Sequence, residues 1–150
     1  MTIADVNILV HAYNQDFPRH QAAKHWWEEA LNGQLGAVGL AWVTILGFIR
    51  IVTSRSVLER PLPAHDAVAI VQSWLNQDSV QLVTPGERHA DFLFRLLEGL
   101  GVAGNLTTDA HLAALAQEYR AELATTDTDF ARFPGLRWFN PLTERQRRSR

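Results

Sequence analysis

Four aspartates stand where a carboxylate could do more than solvate a surface. Asp5 lies at the end of a short apolar segment, in Ile3-Ala4-Asp5-Val6-Asn7. Asp127 and Asp129 follow a second one, Glu122-Leu123-Ala124-Thr125. Asp109 opens an apolar run, Thr107-Thr108-Asp109-Ala110-His111-Leu112. Each has an ordinary explanation by itself. A strand-end Asp begins a turn or caps the next helix, an Asp in a first helical turn suits the macrodipole, and Thr-Thr-Asp-Thr-Asp-Phe reads as an Asx-turn. Taken together, converging carboxylates repel unless a cation neutralises them. The chain has no cysteine, so any metal is held by oxygen or imidazole. Oxygen donors select hard ions such as magnesium or manganese, and such ions activate water and shield phosphoryl oxygens in phosphodiester hydrolysis.

The elements that must position these acids can be read from periodicity. Short strands are expected near 2–6, 36–40, 79–84, 122–125 and 136–138. Helical spacing marks 18–32, where Pro18 suits a first turn, and 41–53, an almost wholly apolar stretch up to Arg50 that reads as a buried helix. It also marks 64–76, 87–100 and 108–119, the last with Thr107 or Thr108 as an expected N-cap. Strands alternating with helices imply an α/β fold, a mostly parallel sheet covered on both faces. Ligands of such sheets collect at the carboxyl ends of the strands. Asp5 and Asp127 belong there. Asp109 reaches that rim only if the 101–108 loop carries it.

The composition narrows the alternatives. One hundred and fifty residues with 47% hydrophobic and 20% charged suit one soluble domain. Neither the loop 101–106 nor the proline-containing segment 55–63 reads as a domain linker, so the expectation is a single domain over 1–144 and a basic tail over 145–150. The net charge of −2 conceals an asymmetry. All sixteen acids and ten of the basic residues lie in 1–144, while Arg145, Arg147, Arg148 and Arg150 crowd the end. That end could follow RNA phosphates or be a solvated terminus. No stretch approaches the roughly 20 apolar residues that span a bilayer, and the first residues do not read as a signal peptide. Cytoplasmic location and no membrane partner are expected. No Walker or dinucleotide glycine motif occurs. A phospho-acceptor receiver domain would want paired acids after the first strand and a late lysine, whereas the one lysine is Lys24. His20 and His25 lack zinc spacing, and His111 reads as a partly exposed helical residue. Of Trp26 and Trp27, which point about 100° apart on a helix, one is expected inward and the other at an interface. Trp42 and Trp74 are expected in the core.

With these residues placed, the chain resembles the PIN-domain ribonucleases, and among them the VapC toxins of bacterial VapBC toxin–antitoxin pairs. The resemblance rests on Asp5-Val6-Asn7, on Thr108 to Ala116, on Thr125-Thr126-Asp127-Thr128-Asp129-Phe130, and on Phe133 to Pro141, the last especially like the actinobacterial branch. It implies a three-layer α/β/α sandwich with a four- or five-stranded sheet. Asp5 and Asp109 match the core magnesium ligands, Asp127 the third acid and Asp129 a frequent fourth. Thr125 matches a hydroxyl residue that orients the acids and the attacking water. Asn7 matches a polar residue two after the first acid, or simply caps the following helix. Arg50 matches a helical arginine, and with Asn7, Arg145 and Arg147 completes the expected RNA contacts. The implied function is a Mg2+-dependent endoribonuclease, with Mn2+ as a possible substitute, that cuts structured RNA (tRNA or rRNA) to halt translation. A VapB-type antitoxin and a homodimer are the implied partners. One departure matters: many relatives carry a glutamate three residues before the arginine, and Gly47 stands there instead. Fewer charges bind a divalent ion less tightly. The alternative is therefore a PIN scaffold with weak or no catalysis that binds RNA or antitoxin.

Overall fold

A computed structural model describes residues 1–143. Arg145 and Arg147 lie outside them, as does the expected tail. Five strands form one sheet among the described residues: β1 (Thr2–Ala4), β2 (Val38–Ala41), β3 (Val80–Val83), β4 (Glu122–Ala124) and β5 (Trp138–Phe139). They are ordered β3-β2-β1-β4-β5 and every pairing is parallel. Helices α1 (Val6–Tyr13), α2 (His20–Leu31), α3 (Trp42–Val52), α4 (Ala64–Leu75), α5 (His89–Leu100) and α6 (Thr107–Glu118) connect them. No described helix is long and apolar enough to cross a membrane.

Parallel strands covered on both faces are apolar throughout rather than alternating. Strand β2 follows that rule, with all four residues of Val-Gly-Leu-Ala buried. Gly39 must be glycine for a steric reason: a Cβ there would stand 2.9 Å from Val83 Cγ1 and 3.0 Å from Ile3 Cγ1. Two hydrophobic clusters flank the sheet and make the three-layer sandwich. One joins Ile8, Leu9, Trp26, Trp27, Phe48 and Trp74 beneath α1 to α4. The other joins Ile3, Leu96, Leu123 and Phe130 to the small residues Ala110, Ala113, Ala114 and Ala116 of α6, which let that helix lie close.

Several local expectations change. Helix α1 is absent from the sequence reading because Val-Asn-Ile-Leu-Val is as apolar as a strand and directly continues one. Trp26 and Trp27 are both buried, for Trp27 meets Trp74 edge-on at 5.4 Å between ring centroids and Trp26 meets Phe139 at 6.4 Å. Trp74 is buried as expected, but Trp42 is 51% and Leu46 62% exposed. Only Thr44, Ile45, Phe48 and Val52 of α3 are buried. Helix α3 is thus amphipathic in placement though not in composition. Neither Thr107 nor Thr108 caps α6, since a short 3-10 turn, Gly104–Leu106, runs straight into it and Leu106 is the N-cap.

Candidate active site

The rim where β1 and β4 end gathers the predicted residues. The β1–β4 register pairs Ala4 with Ala124, and the Asp5 amide donates to the Ala124 carbonyl at 2.9 Å. Asp5 and Thr125 are therefore the next residues on adjacent strands. Asp5 also caps α1, its Oδ1 accepting from the Val6 amide at 2.7 Å. Its Oδ2 accepts from Thr125 Oγ1 at 2.7 Å. The capping role and the site role thus belong to the same side chain.

Thr125 is fully buried and its hydroxyl is saturated. It donates to Asp5, and accepts from the Asp127 amide at 3.0 Å and from Asn7 Nδ2 at 3.4 Å. One proton and two lone pairs are all a hydroxyl has. Asn7 returns across the same gap, its Oδ1 accepting from the Thr126 amide at 3.4 Å. Asn7 lies within α1, so it tethers that helix to the β4 exit rather than capping it. Asp127 begins a second 3-10 turn, Thr128–Arg132, and its Oδ1 accepts from the Asp129 amide at 2.8 Å.

Helix α6 leads back toward the start of β4, so its first turn begins near the carboxyl rim. Asp109 there faces Asp5 across a groove of about 340 Å³. Val6, Val43, Thr44, Leu46, Gly47, Arg50, Thr108 and Leu112 complete its lining. Arg50 is its one lining cation, and at Gly47 the Val6 side chain stands where a Cβ would point, its Cγ2 3.2 Å away. Asp127 and Asp129 do not line the groove, but their charges reach it. Burial first, then the charges of Asp5, Asp127 and Asp129, push the Asp109 carboxyl up to about 6. Burial likewise raises Asp5, opposed by the Thr125 and Val6 hydrogen bonds, while Asp127 adds to the rise.

These features show what the site could hold. Its donors are oxygens, and its two lining carboxylates sit among like charges, a situation a divalent cation relieves. Among the described residues, no group of three or more His, Asp or Glu side chains closes around one point. The arrangement fits an ion that keeps several waters and takes one or two carboxylates, as magnesium does. The histidines serve elsewhere: His20 Nδ1 meets the His11 carbonyl at 2.9 Å, and His25 pairs with Glu29 at 3.2 Å. His111 is half-buried with its Nδ1 3.0 Å from His89 Nε2, at the α5–α6 contact. Sequence reasoning missed Thr44, Thr108 and the apolar wall of Val43 and Leu46. Counting three back from Gly47 along α3 would have found Thr44 on the same face.

The model of the PIN domain matches residues 2–136 of the chain. The chain is 48% identical over 144 residues to ribonuclease VapC33 of Mycobacterium tuberculosis, covering 96% of this chain and 100% of that protein. It is 45% identical over 141 residues to ribonuclease VapC37 of the same species, covering 94% and 97%. Among solved structures, the VapBC2 complex of Rickettsia felis bound to a promoter DNA fragment aligns with a TM-score of 0.67 at 17% identity, over 93% of this chain and 97% of that one. Mycobacterium tuberculosis VapC20, a toxin that cleaves the sarcin–ricin loop, aligns with a TM-score of 0.60 at 20% identity, over 91% and 99%. Both share the fold.

Proposed function

The chain belongs to the PIN-domain family, and on that footing we propose that it is the toxin of a VapBC-type pair: an endoribonuclease, dependent on a divalent metal, that cuts structured RNA and is silenced by a VapB-type antitoxin. The metal is Mg2+, with Mn2+ able to replace it, and the target is tRNA or rRNA in the cytoplasm. The observation that carries the reading is the meeting of Asp5 and Asp109 in one groove. Full-length identity to named ribonucleases supports the same chemistry.

In this reading Asp5 and Asp109 would hold the ion, and Asp127 and Asp129 would add negative charge beside it. When bound, the ion supplies electrostatic shielding of the phosphoryl oxygens and a more acidic water. Asp127, at the open end of β4, orients the attacking water for in-line displacement. Thr125 positions Asp5 and the Asp127 backbone; its saturated hydroxyl leaves none of its bonding capacity for water. Asn7 holds α1 to that assembly. Arg50 meets a phosphate at the groove, and Arg145 and Arg147 extend the contact along the RNA backbone. Homodimerisation belongs to the same proposal and is supported by the exposed apolar side chains Trp42, Leu46 and Phe94. The scaffold alternative prompted by Gly47 is not favoured, because the relatives spanning the whole chain are ribonucleases.

The deciding variant is Asp5→Asn. It keeps the side chain's size and its capping oxygen. Cleavage of an RNA substrate should fall at least about a hundredfold, and growth arrest on expression should disappear, with the circular dichroism spectrum unchanged. Wild-type cleavage by a folded Asp5→Asn protein would overturn the assignment.

A further inference from the structure

Thr44 carries an unpaid burial cost. It is 2% exposed, and its Oγ1 has no hydrogen-bond partner. A hydroxyl buried in that way costs about 1–3 kcal/mol. Helical threonines commonly bond a carbonyl three or four residues back. Thr53, at the other end of α3, does so with the Ile49 carbonyl at 2.7 Å. Thr44 sits in the first turn, where the residue four back is Leu40 of β2, and it makes no such bond.

The same residue lines the acidic groove with Asp5, Gly47 and Asp109. Thr44 and Gly47 are three apart on α3 and share a helix face. The Val6 side chain stands where a Gly47 Cβ would point, its Cγ2 3.2 Å away, so the room beside Thr44 is the groove it shares with the two acids. Its volume of about 340 Å³ accommodates about ten waters at liquid density. A helical threonine populates two χ1 wells, and a turn between them exchanges hydroxyl and methyl.

The neighbours define the chemistry of what would satisfy this hydroxyl. Ionised carboxylates only accept hydrogen bonds. An anionic ligand oxygen would be repelled by Asp5 and Asp109. A water in the shell of a divalent ion suits both, because it directs its protons outward to acceptors. We propose that Thr44 is a positioning residue that accepts a hydrogen bond from a water of the hydrated ion held by Asp5 and Asp109, in the groove that these three residues line. The inference rests on the reading of those two acids as the cation-binding pair.

Calorimetric titration of the full chain with Mn2+, alongside thermal melting of the metal-free protein, tests it on four proteins: wild type, Thr44→Val, Thr44→Ser and Asp5→Asn. Valine is nearly the same size and lacks only the hydroxyl. Metal-free Thr44→Val should melt at the wild-type temperature or higher, since an unpartnered polar group is gone. Its Mn2+ dissociation constant should rise about tenfold, as when other outer-shell partners are lost, and serine should restore it. Wild-type affinity in Thr44→Val, valine-like weakness in Thr44→Ser, or a lowered melting temperature in Thr44→Val would overturn the role of Thr44. Loss of binding in Asp5→Asn would still uphold the acids in those cases. A wild-type protein that binds no Mn2+, or an Asp5→Asn variant that binds it unchanged, would overturn both.

Discussion

The Thr125 hydroxyl donates to Asp5 Oδ2 at 2.7 Å, joining residues 120 positions apart where two adjacent strands end. The bond is buried, and Thr125 Oγ1 also accepts from the Asp127 amide. Replacing Thr125 with valine leaves a carboxylate oxygen and an amide without their partner. The expected cost is about 1–3 kcal/mol, read as a lower urea midpoint, together with a cleavage rate reduced by about tenfold or more through misplaced acids. Thr125→Ser should recover most of both. A Thr125→Val protein with full activity would show that this bond does not position the site.

Asp109 makes the metal-free protein sensitive to pH in a defined direction. Its carboxyl is pushed up to about 6 in the fold, against about 3.9 in an unfolded chain. Between those values the folded state holds the extra proton, so stability contributed by this group falls as pH rises. Thermal melting of metal-free protein between pH 4 and pH 7 should show that decline, and Asp109→Asn should reduce it. The asparagine variant should also melt higher than wild type at pH 7 while losing cleavage, because it removes one of several mutually repelling charges. Added Mn2+ should give more stabilisation at pH 7 than at pH 5, since ion and proton compete for the same oxygens.

Gly47 can be tested by adding the glutamate that the family resemblance implies at this position. A Cβ at this position would stand 3.2 Å from Val6 Cγ2, so the new side chain must displace Val6 by a few tenths of an ångström. Helical glycine itself costs about 0.5–1 kcal/mol against alanine, which offsets part of that crowding. The double variant Gly47→Glu with Val6→Ala is expected to fold and to bind Mn2+ about tenfold more tightly. Unchanged affinity would mean that the glutamate does not reach the ion in this scaffold.

The tryptophans separate core from surface. Trp74 is buried against Trp27 and Phe48, with ring centroids 5.4 and 4.7 Å away. Trp74→Ala should cost about 3–5 kcal/mol. Trp42→Ala should change the stability of the isolated chain by no more than about 0.5 kcal/mol. Chemical denaturation of both variants checks the contrast.

The sequence made the alternation of strands and helices legible because short runs such as Val80–Val83 and Trp138–Phe139 stand beside turn residues, Pro85-Gly86 and Pro134-Gly135. Asp5, Asp109 and Asp127 could be located for the same reason, as each stands at an element boundary. The bonds among Asn7, Thr125 and Asp5 could not be read, since they depend on β4 lying beside β1. Exposure along α3 was illegible too. Trp42, Leu46, Ile45 and Phe48 are all apolar, and only packing decides which of them face out. Thr44 was hidden by its setting, a single hydroxyl in an apolar run whose meaning comes from the acids across the groove.

The order β3-β2-β1-β4-β5 has a consequence for a protein whose activity would harm the cell that makes it. Of the described strands the central one, β1, is synthesised first, and its partner on one side, β4, is the fourth of five. Asp5 therefore waits for Thr125 and Asp127 until the residues between them have been made, and the carboxylate rim cannot be assembled on a product that stops short of them. A premature stop anywhere before β4 yields a polypeptide without a finished site, so the fold protects its host from its own incomplete copies.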